Sequence, residues 1–270
     1  MKIELDGVPE TMLWPLWNRA HEAQRADRLI DDPWAIDLVS RIDYDFKRSF
    51  GRPNRGHGVR SRVCDDLITR FLEREGNQGC VISLGEGLES QYWRLGEPDV
   101  TWLSIDVKEA HAVRSRLMPE APRVSRLSFS ALDFEWLDQV PKGRPCFVSA
   151  LGLLMYLTEQ QVVSLLTQIA SRLPESEVFF DAIPEIMSKK TLNGFRVTEH
   201  YKAPRMPWGI STDALPGFLA SIPNLEPILV QTYAEPFPHA MRPYNWLSKI
   251  GPIRRKLAPS LAHAATASVD

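Results

Sequence analysis

Gly85 and Gly87 follow an apolar run of strand length, Cys80–Leu84. About twenty residues later Asp106 closes a second such run, Thr101–Ile105. A strand that turns through glycines into a helix presents backbone N–H groups at the carboxyl edge of a sheet, where nucleotides bind. Glycine is needed there because φ can be positive and a ligand can approach bare backbone. An acid at the end of the next strand can hold two ribose hydroxyls. The G-x-G pair alone is weakly specific, and the spacing to Asp106 strengthens it. A dinucleotide site would carry a third glycine, at the position of Ser90. Its absence leaves less room for a pyrophosphate. S-adenosyl-L-methionine (SAM), which has no phosphate, is therefore the first cofactor reading and a nicotinamide the second.

Other residues with chemical potential are scattered. Asp106, Asp133 and Asp181 each fall at the end of an expected strand. Carboxylates there are also ordinary helix caps, so the set says more than any member. Arg60 opens an expected helix, where the dipole gives a cation no help. It is either placed for a ligand carboxylate or solvated, and spacing alone favours the second. His21 and His200 are the candidate bases, each set against a structural or surface role.

The elements that must position these residues alternate. Strands are expected at Cys80–Leu84, Thr101–Ile105, Val124–Phe129, Cys146–Ala150 and Val178–Asp181, with a further one at Glu226–Tyr233. Between them lie helices over Lys108–Leu117 and Glu159–Leu173. Val59–Glu75 has Val59, Val63, Leu67 and Phe71 recurring every four residues, an amphipathic helix. This alternation predicts a mostly parallel α/β sheet with helices on both faces. Ahead of it, residues 1–58 read as a helical cap with helices at Thr11–Gln24 and Asp32–Ser40, Asp32 being the N-cap. Trp14, Trp17 and Trp34 either pack that layer or form a lid over an apolar substrate. Residues 59–250 form the main domain, with Asn193–Gly209 an irregular insert. Residues 251–270, rich in Ala and Ser, read as a flexible tail.

Composition narrows the class. An apolar content of 44% with 24% charged residues is that of an ordinary globular chain. A net charge of −2 gives no basic field for nucleic acid. No apolar run is long enough to span a membrane, and no signal core opens the chain. Cys64, Cys80 and Cys146 form no C-x-x-C pair, which suits reduced thiols in a cytoplasmic protein and no metal site.

Several blocks together resemble the leucine carboxyl methyltransferase family, a branch of the Rossmann-like class I SAM-dependent methyltransferases. They are Arg60-Ser-Arg-Val-Cys-Asp65, Leu84-Gly-Glu-Gly-Leu-Glu-Ser-Gln91, Trp102-Leu-Ser-Ile-Asp106, Asp133-Phe134 and Gly152-Leu-Leu-Met-Tyr-Leu157. Order and spacing hold from about Arg19 to Asp181. The resemblance implies that Arg60 binds the methionyl carboxylate, against its reading from spacing. It implies that backbone at Gly85 and Gly87 approaches the methionyl and ribosyl parts, that Asp106 holds the ribose hydroxyls, that Asp133 accepts from the adenine amino group with Phe134 flanking the ring, and that Glu86, Val107 and Leu151 also belong to the cofactor site. Arg19 is a looser match to a basic residue that the family places before an Asp-Pro pair, here Asp32-Pro33. The chain departs from the family's loop in having Glu86 for a small residue, Glu89 for Asp and Gln91 for Arg. The last change removes a possible ion-pair partner. Leu151, where the eukaryotic branch has Glu, looks more like the bacterial biosynthetic branch.

The resulting expectation is an O-methyltransferase that yields S-adenosylhomocysteine (SAH). Its acceptor is a carboxylic acid or phenol from small-molecule biosynthesis, such as a polyketide. Tyr156 and His200 are the catalytic candidates. His21, Tyr156, Tyr201 and Trp208 are the substrate candidates. The alternatives are a protein C-terminal carboxyl methyltransferase and a non-catalytic SAM-fold binding protein.

Overall fold

The computed structural model describes residues 7–241 and 255–268. Its strands are β1 (Cys80–Leu84), β2 (Thr101–Asp106), β3 (Val124–Ser128), β4 (Cys146–Ala150), β5 (Glu177–Ala182), β6 (Leu225–Thr232) and β7 (Ser260–Thr266). They form one sheet among the described residues, in the order β3-β2-β1-β4-β5-β7-β6. The first five strands pair in parallel, and β7 runs antiparallel between β5 and β6. The helices are α1 (Gly7–Glu10), α2 (Leu13–Ala23), α3 (Pro33–Arg41), α4 (Phe46–Phe50), α5 (Gly56–Glu75), α6 (Gln91–Arg94), α7 (Lys108–Leu117), α8 (Glu159–Arg172), α9 (Glu185–Leu192) and α10 (Leu215–Ala220).

The period-2 geometry of the strands divides the core in two. In β1, Val81 faces α5 and joins Val63, Ile68 and Phe71. Cys80, Ile82 and Leu84 face the other side and join Leu165, Leu166 and Ile169 of α8. A third apolar cluster holds α2 to α4 together, with Leu16, Leu38, Phe46 and Phe50 buried and Trp14 and Trp17 packed against them. Asp32 caps α3 as expected, its side chain accepting from Ala35 N at 2.9 Å.

Two differences from the sequence reading matter. The tail contains β7, which is buried and paired on both edges, so residues 260–266 are a central strand and not a flexible end. Ala262 and Ala264 fit under the helices of one face while Leu261 fills the other. Alanine has weak strand preference, so its burial, not its propensity, makes this segment a strand. The boundary expected between residues 250 and 251 lies outside the described residues. Second, the stretch after Gly87 reaches helix only at α6, four residues long.

The order reverses where β1 stands between β2 and β4. In an open α/β sheet that switch point leaves a crevice beyond the strands' carboxyl ends.

Candidate active site

A cavity of about 800 Å³ occupies this crevice. It is lined by residues 83–89, Asp106, Val107, Ser149 and residues 151–153, and also by Thr11, Met12, Trp14 and Pro15 and by residues 257–259. Gly85 and Gly87 have φ of 61° and 54°, where a side chain is strained. A Cβ on Gly87 would also lie 2.9 Å from Cβ of Met12, so the bare turn lets the N-terminal segment close over the site.

Asp106 braces the turn. Its Oδ2 accepts from Gly87 N at 2.7 Å and its Oδ1 from Val107 N at 2.8 Å. Each oxygen keeps a lone pair for a ligand hydroxyl. Burial raises the Asp106 pKa above the usual carboxylate value, and the two backbone N–H groups oppose the rise.

Arg60 enters from α5 and is almost wholly buried. Its Nη1 donates to Asp181 Oδ2 at 3.1 Å. Asp181 also accepts from Tyr233 Oη at 2.7 Å and from Gly152 N at 2.5 Å. Burial works against the Arg60 charge, but Asp181 more than offsets it, so the guanidinium stays protonated. Its Nε has no partner among the described residues. A Cβ on Gly152 would lie 2.8 Å from Arg60 Nη1, which accounts for glycine there.

Beneath the glycine turn lies a buried ion network. Arg19 pairs with Asp32 at 3.0 Å and with Glu89 at 3.2 Å. Arg94 pairs with Asp65 at 2.6 Å, Glu89 at 2.7 Å and Asp32 at 3.1 Å. Burial would raise the Glu89 pKa, but Arg19 and Arg94 together hold it well below the carboxylate range. Gln91, which replaces the expected arginine, donates to Asp65 at 2.7 Å. Arg94, three residues on and one helical turn away, supplies the charge that Gln91 lacks. Glu86 is compensated too, pairing with Arg114 at 3.0 Å and accepting from Ser104 Oγ. Burial raises its pKa, and Arg114 opposes this.

Of the other expected residues, Val107, Leu151 and Tyr156 line the cavity. Six do not. Asp133 is exposed and caps a 3₁₀ turn, while Phe134 packs on the core. His200 is on the surface beside Glu199 at 2.8 Å. His21 donates from Nδ1 to Trp17 O at 3.1 Å, its ring against that indole. Tyr201 is buried between Trp14 and Phe50. Trp208 packs with Phe180 and Phe218 in the core. The insert therefore does reach the cavity, but through Phe195, Ala203 and Met206. It folds back on α2 and α4, which turns Tyr201 away.

Two features of the wall carry little signal in the sequence. Met12, Met155, Met187, Met206 and Met241, five of the chain's seven methionines, line it. They are spread along the chain without period, so no pattern marks them. His57 also lines it, from the Gly-His-Gly that opens α5. A histidine between glycines at a helix start was the available signal.

The sequence profile of the leucine carboxyl methyltransferase family matches residues 13–170. The protein belongs to the leucine carboxyl methyltransferase family. Its relatives include the tetracenomycin polyketide synthesis O-methyltransferase TcmP of Streptomyces glaucescens, 36% identical over 184 residues, 67% of this chain and 68% of that one. Another is the S-adenosyl-L-methionine-dependent methyltransferase dpfgK of Gibberella zeae, 32% identical over 203 residues with the same shares. Among solved structures, a Thermobifida fusca protein described as a putative methyltransferase has a TM-score of 0.56 at 13% identity, covering 93% of this chain and 94% of its own. The plantazolicin methyltransferase BpumL, in complex with SAH, has a TM-score of 0.51 at 13% identity, covering 96% and 98%. These two likenesses concern the fold.

This member of the leucine carboxyl methyltransferase family is a SAM-dependent methyltransferase. The cavity suits that cofactor. Arg60 offers a buried, unpartnered Nε for a carboxylate, and Asp106 offers two oxygens for a diol. Among the described residues no helix is long and apolar enough to cross a membrane.

Proposed function

We propose that this methyltransferase acts on a carboxylate oxygen of a small, largely apolar acid, of the kind formed in polyketide biosynthesis. The observation that carries this reading is that, among the described residues, the buried carboxylates of the cavity wall are already engaged, while Glu109 lines it from the exposed start of α7. Glu86, Glu89 and Asp181 are paired with arginines, and Asp106 is held by backbone. His21 and His200 lie off the wall, and His57, which is on it, has its Nδ1 against Asn18 Nδ2 at 2.6 Å. A carboxylic acid, with a pKa of about 4, is already ionised at neutral pH and needs no base. A phenol, near 10, would need one. The O-methyl chemistry is that in the name of the relative TcmP.

Bound SAM supplies an activated methyl on a positively charged sulfur. The chain's own residues do the rest. Arg60, oriented by Asp181, holds the cofactor's carboxylate, and Asp106 holds its ribose. Tyr156, on the 3₁₀ turn Leu154–Tyr156 after β4, borders the acceptor. The thioethers of Met155, Met187 and Met206 adapt to an apolar or aromatic body and keep water out. Alignment within such a closed site can contribute on the order of 7 kcal/mol to the rate. The test is a screen of aryl carboxylic acids and phenols with labelled SAM. Products should be esters, cleaved by mild alkali. Alkali-stable aryl ethers as the sole products would reject the carboxylate reading.

A further inference from the structure

His57 stands at the first turn of α5, one helical turn before Arg60, and lines the cavity. Its ring is edge-on to Trp14, with centroids 6.1 Å apart. Nδ1 lies 2.6 Å from Asn18 Nδ2. Which of the two donates is settled by a third group. The backbone N–H of Asn54 donates to Asn18 Oδ1 at 3.2 Å. A backbone N–H can only donate, so that atom of Asn18 is the oxygen and the other is the NH₂. The NH₂ must donate to His57, so Nδ1 is a bare acceptor and the ring proton sits on Nε2. Among the described residues Nε2 has no protein partner.

We propose that His57 is an uncharged hydrogen-bond donor that holds the methyl acceptor's oxygen through Nε2–H, with Asn18 fixing the tautomer. The proposal rests on the acid-methylating reading and deepens it. The charges facing the ring are Arg60 on its own helix, Arg19 on α2 and Glu89 on the loop. Burial, Arg60 and Arg19 hold the imidazole well below its usual pKa, and Glu89 opposes them only in part. The ring's basic nitrogen, Nδ1, is engaged by Asn18, and the nitrogen left for a substrate, Nε2, already carries a proton. It can orient an oxygen lone pair, but it cannot deprotonate a phenol. Arg60 already offers the charge suited to the cofactor's carboxylate, which leaves His57, on the Trp14 side, for the second substrate.

The test uses enzyme labelled with ¹⁵N-histidine and saturated with SAH, with 2-naphthoate as the probe acid. His57 should show one neutral Nε2–H tautomer from pH 6 to 8, and its Nε2–H signal should shift when 2-naphthoate is added. Asn18→Asp keeps the acceptor for Asn54 N but puts a second oxygen against Nδ1. The proton should move to Nδ1, and 2-naphthoate affinity should fall at least about tenfold, the loss of one hydrogen bond to a charged oxygen. SAH affinity should change less than about twofold. His57→Gln, which keeps a donor amide, should recover most of the 2-naphthoate affinity lost in His57→Leu. An Nδ1–H or titrating ring in the wild type, a ring unmoved by 2-naphthoate, equal losses in the Gln and Leu variants, or a parallel loss of SAH binding would each overturn the proposal. Turnover of 2-naphthol alone, with the Nε2–H signal shifted by it, would reject the carboxylate reading and still support the donor.

Discussion

Replacing Asp106 by alanine should remove the ribose contact and little else. The carboxylate spends one lone pair of each oxygen on Gly87 N and Val107 N. The remaining lone pairs face the cavity and can take both hydroxyls of a ribose. Each charge-assisted bond contributes ~1.5–3 kcal/mol, so the pair amounts to ~3–6 kcal/mol. At about 1.4 kcal/mol per decade, the dissociation constant for SAH should rise by roughly two to four orders of magnitude. The freed backbone N–H groups border the cavity, where water can satisfy them, so the stability cost is small. Titration calorimetry with SAH measures the loss. A thermodynamic cycle assigns it: 5′-methylthioadenosine should bind much more weakly to the variant, and its 2′,3′-dideoxy analogue should bind both proteins alike. Equal weakening of the two ligands would mean that Asp106 acts through the Gly87 turn and not through the ribose.

Arg60→Lys keeps the charge but loses the planar fork, so SAH affinity should fall while adenosine, which lacks the carboxylate, binds almost unchanged. Calorimetry with both ligands checks this, and equal losses would place Arg60 elsewhere. Arg94→Met should strand Asp65 and Glu89 in the interior. Breaking such a buried network costs ~3–5 kcal/mol, which at ~2–4 °C per kcal/mol is a fall in Tm of roughly 10 °C. A fall of only a degree or two would show that water reaches the network. Stability should also decline on the acid side. His57 and His111 are held below the usual imidazole value, His57 by burial, Arg60 and Arg19, His111 by burial, Arg126 and Arg114. Both stay neutral when folded, while the unfolded chain gains protons below pH 6.5 or so. Their contribution is therefore complete above that pH and is lost as pH drops below it. Urea melts at pH 5 and 7.5 should show a smaller difference for His57→Gln than for the wild type, and an unchanged difference would contradict the assignment.

How much was legible depended on whether the signal was local. The strand–glycine–strand–acid spacing from Cys80 to Asp106 predicted the turn, because a tight turn restricts residue type directly, but not that Asp106 accepts from Gly87 N and braces it. The parallel strands were readable from apolar runs of the right length. β7 was not, because Ala262 and Ala264 are chosen for close packing under helices and carry no strand signature. Gln91 looked like the loss of an ion-pair partner, but Arg94 restores the charge from the next turn, a substitution that pattern matching by position cannot see. Tyr201 and Trp208 have side chains suited to a binding site, yet the insert's fold turns them inward and presents Phe195 and Met206. The setting of His57 is not local in sequence, because it depends on Asn18 and Asn54, which meet it only after α2 folds onto α5.

The account turns most directly on the pH dependence of turnover, measured with an accepted substrate at saturating SAM. A carboxylate acceptor is ionised throughout, so its methylation needs no base. The rate should therefore be flat from about pH 6 to 8.5. His21→Ala and His200→Ala should lower it less than about tenfold, since general bases typically contribute 10²–10⁴-fold. A rate that climbs through a histidine-like midpoint, and that one of those substitutions flattens, would contradict the acid-methylating reading.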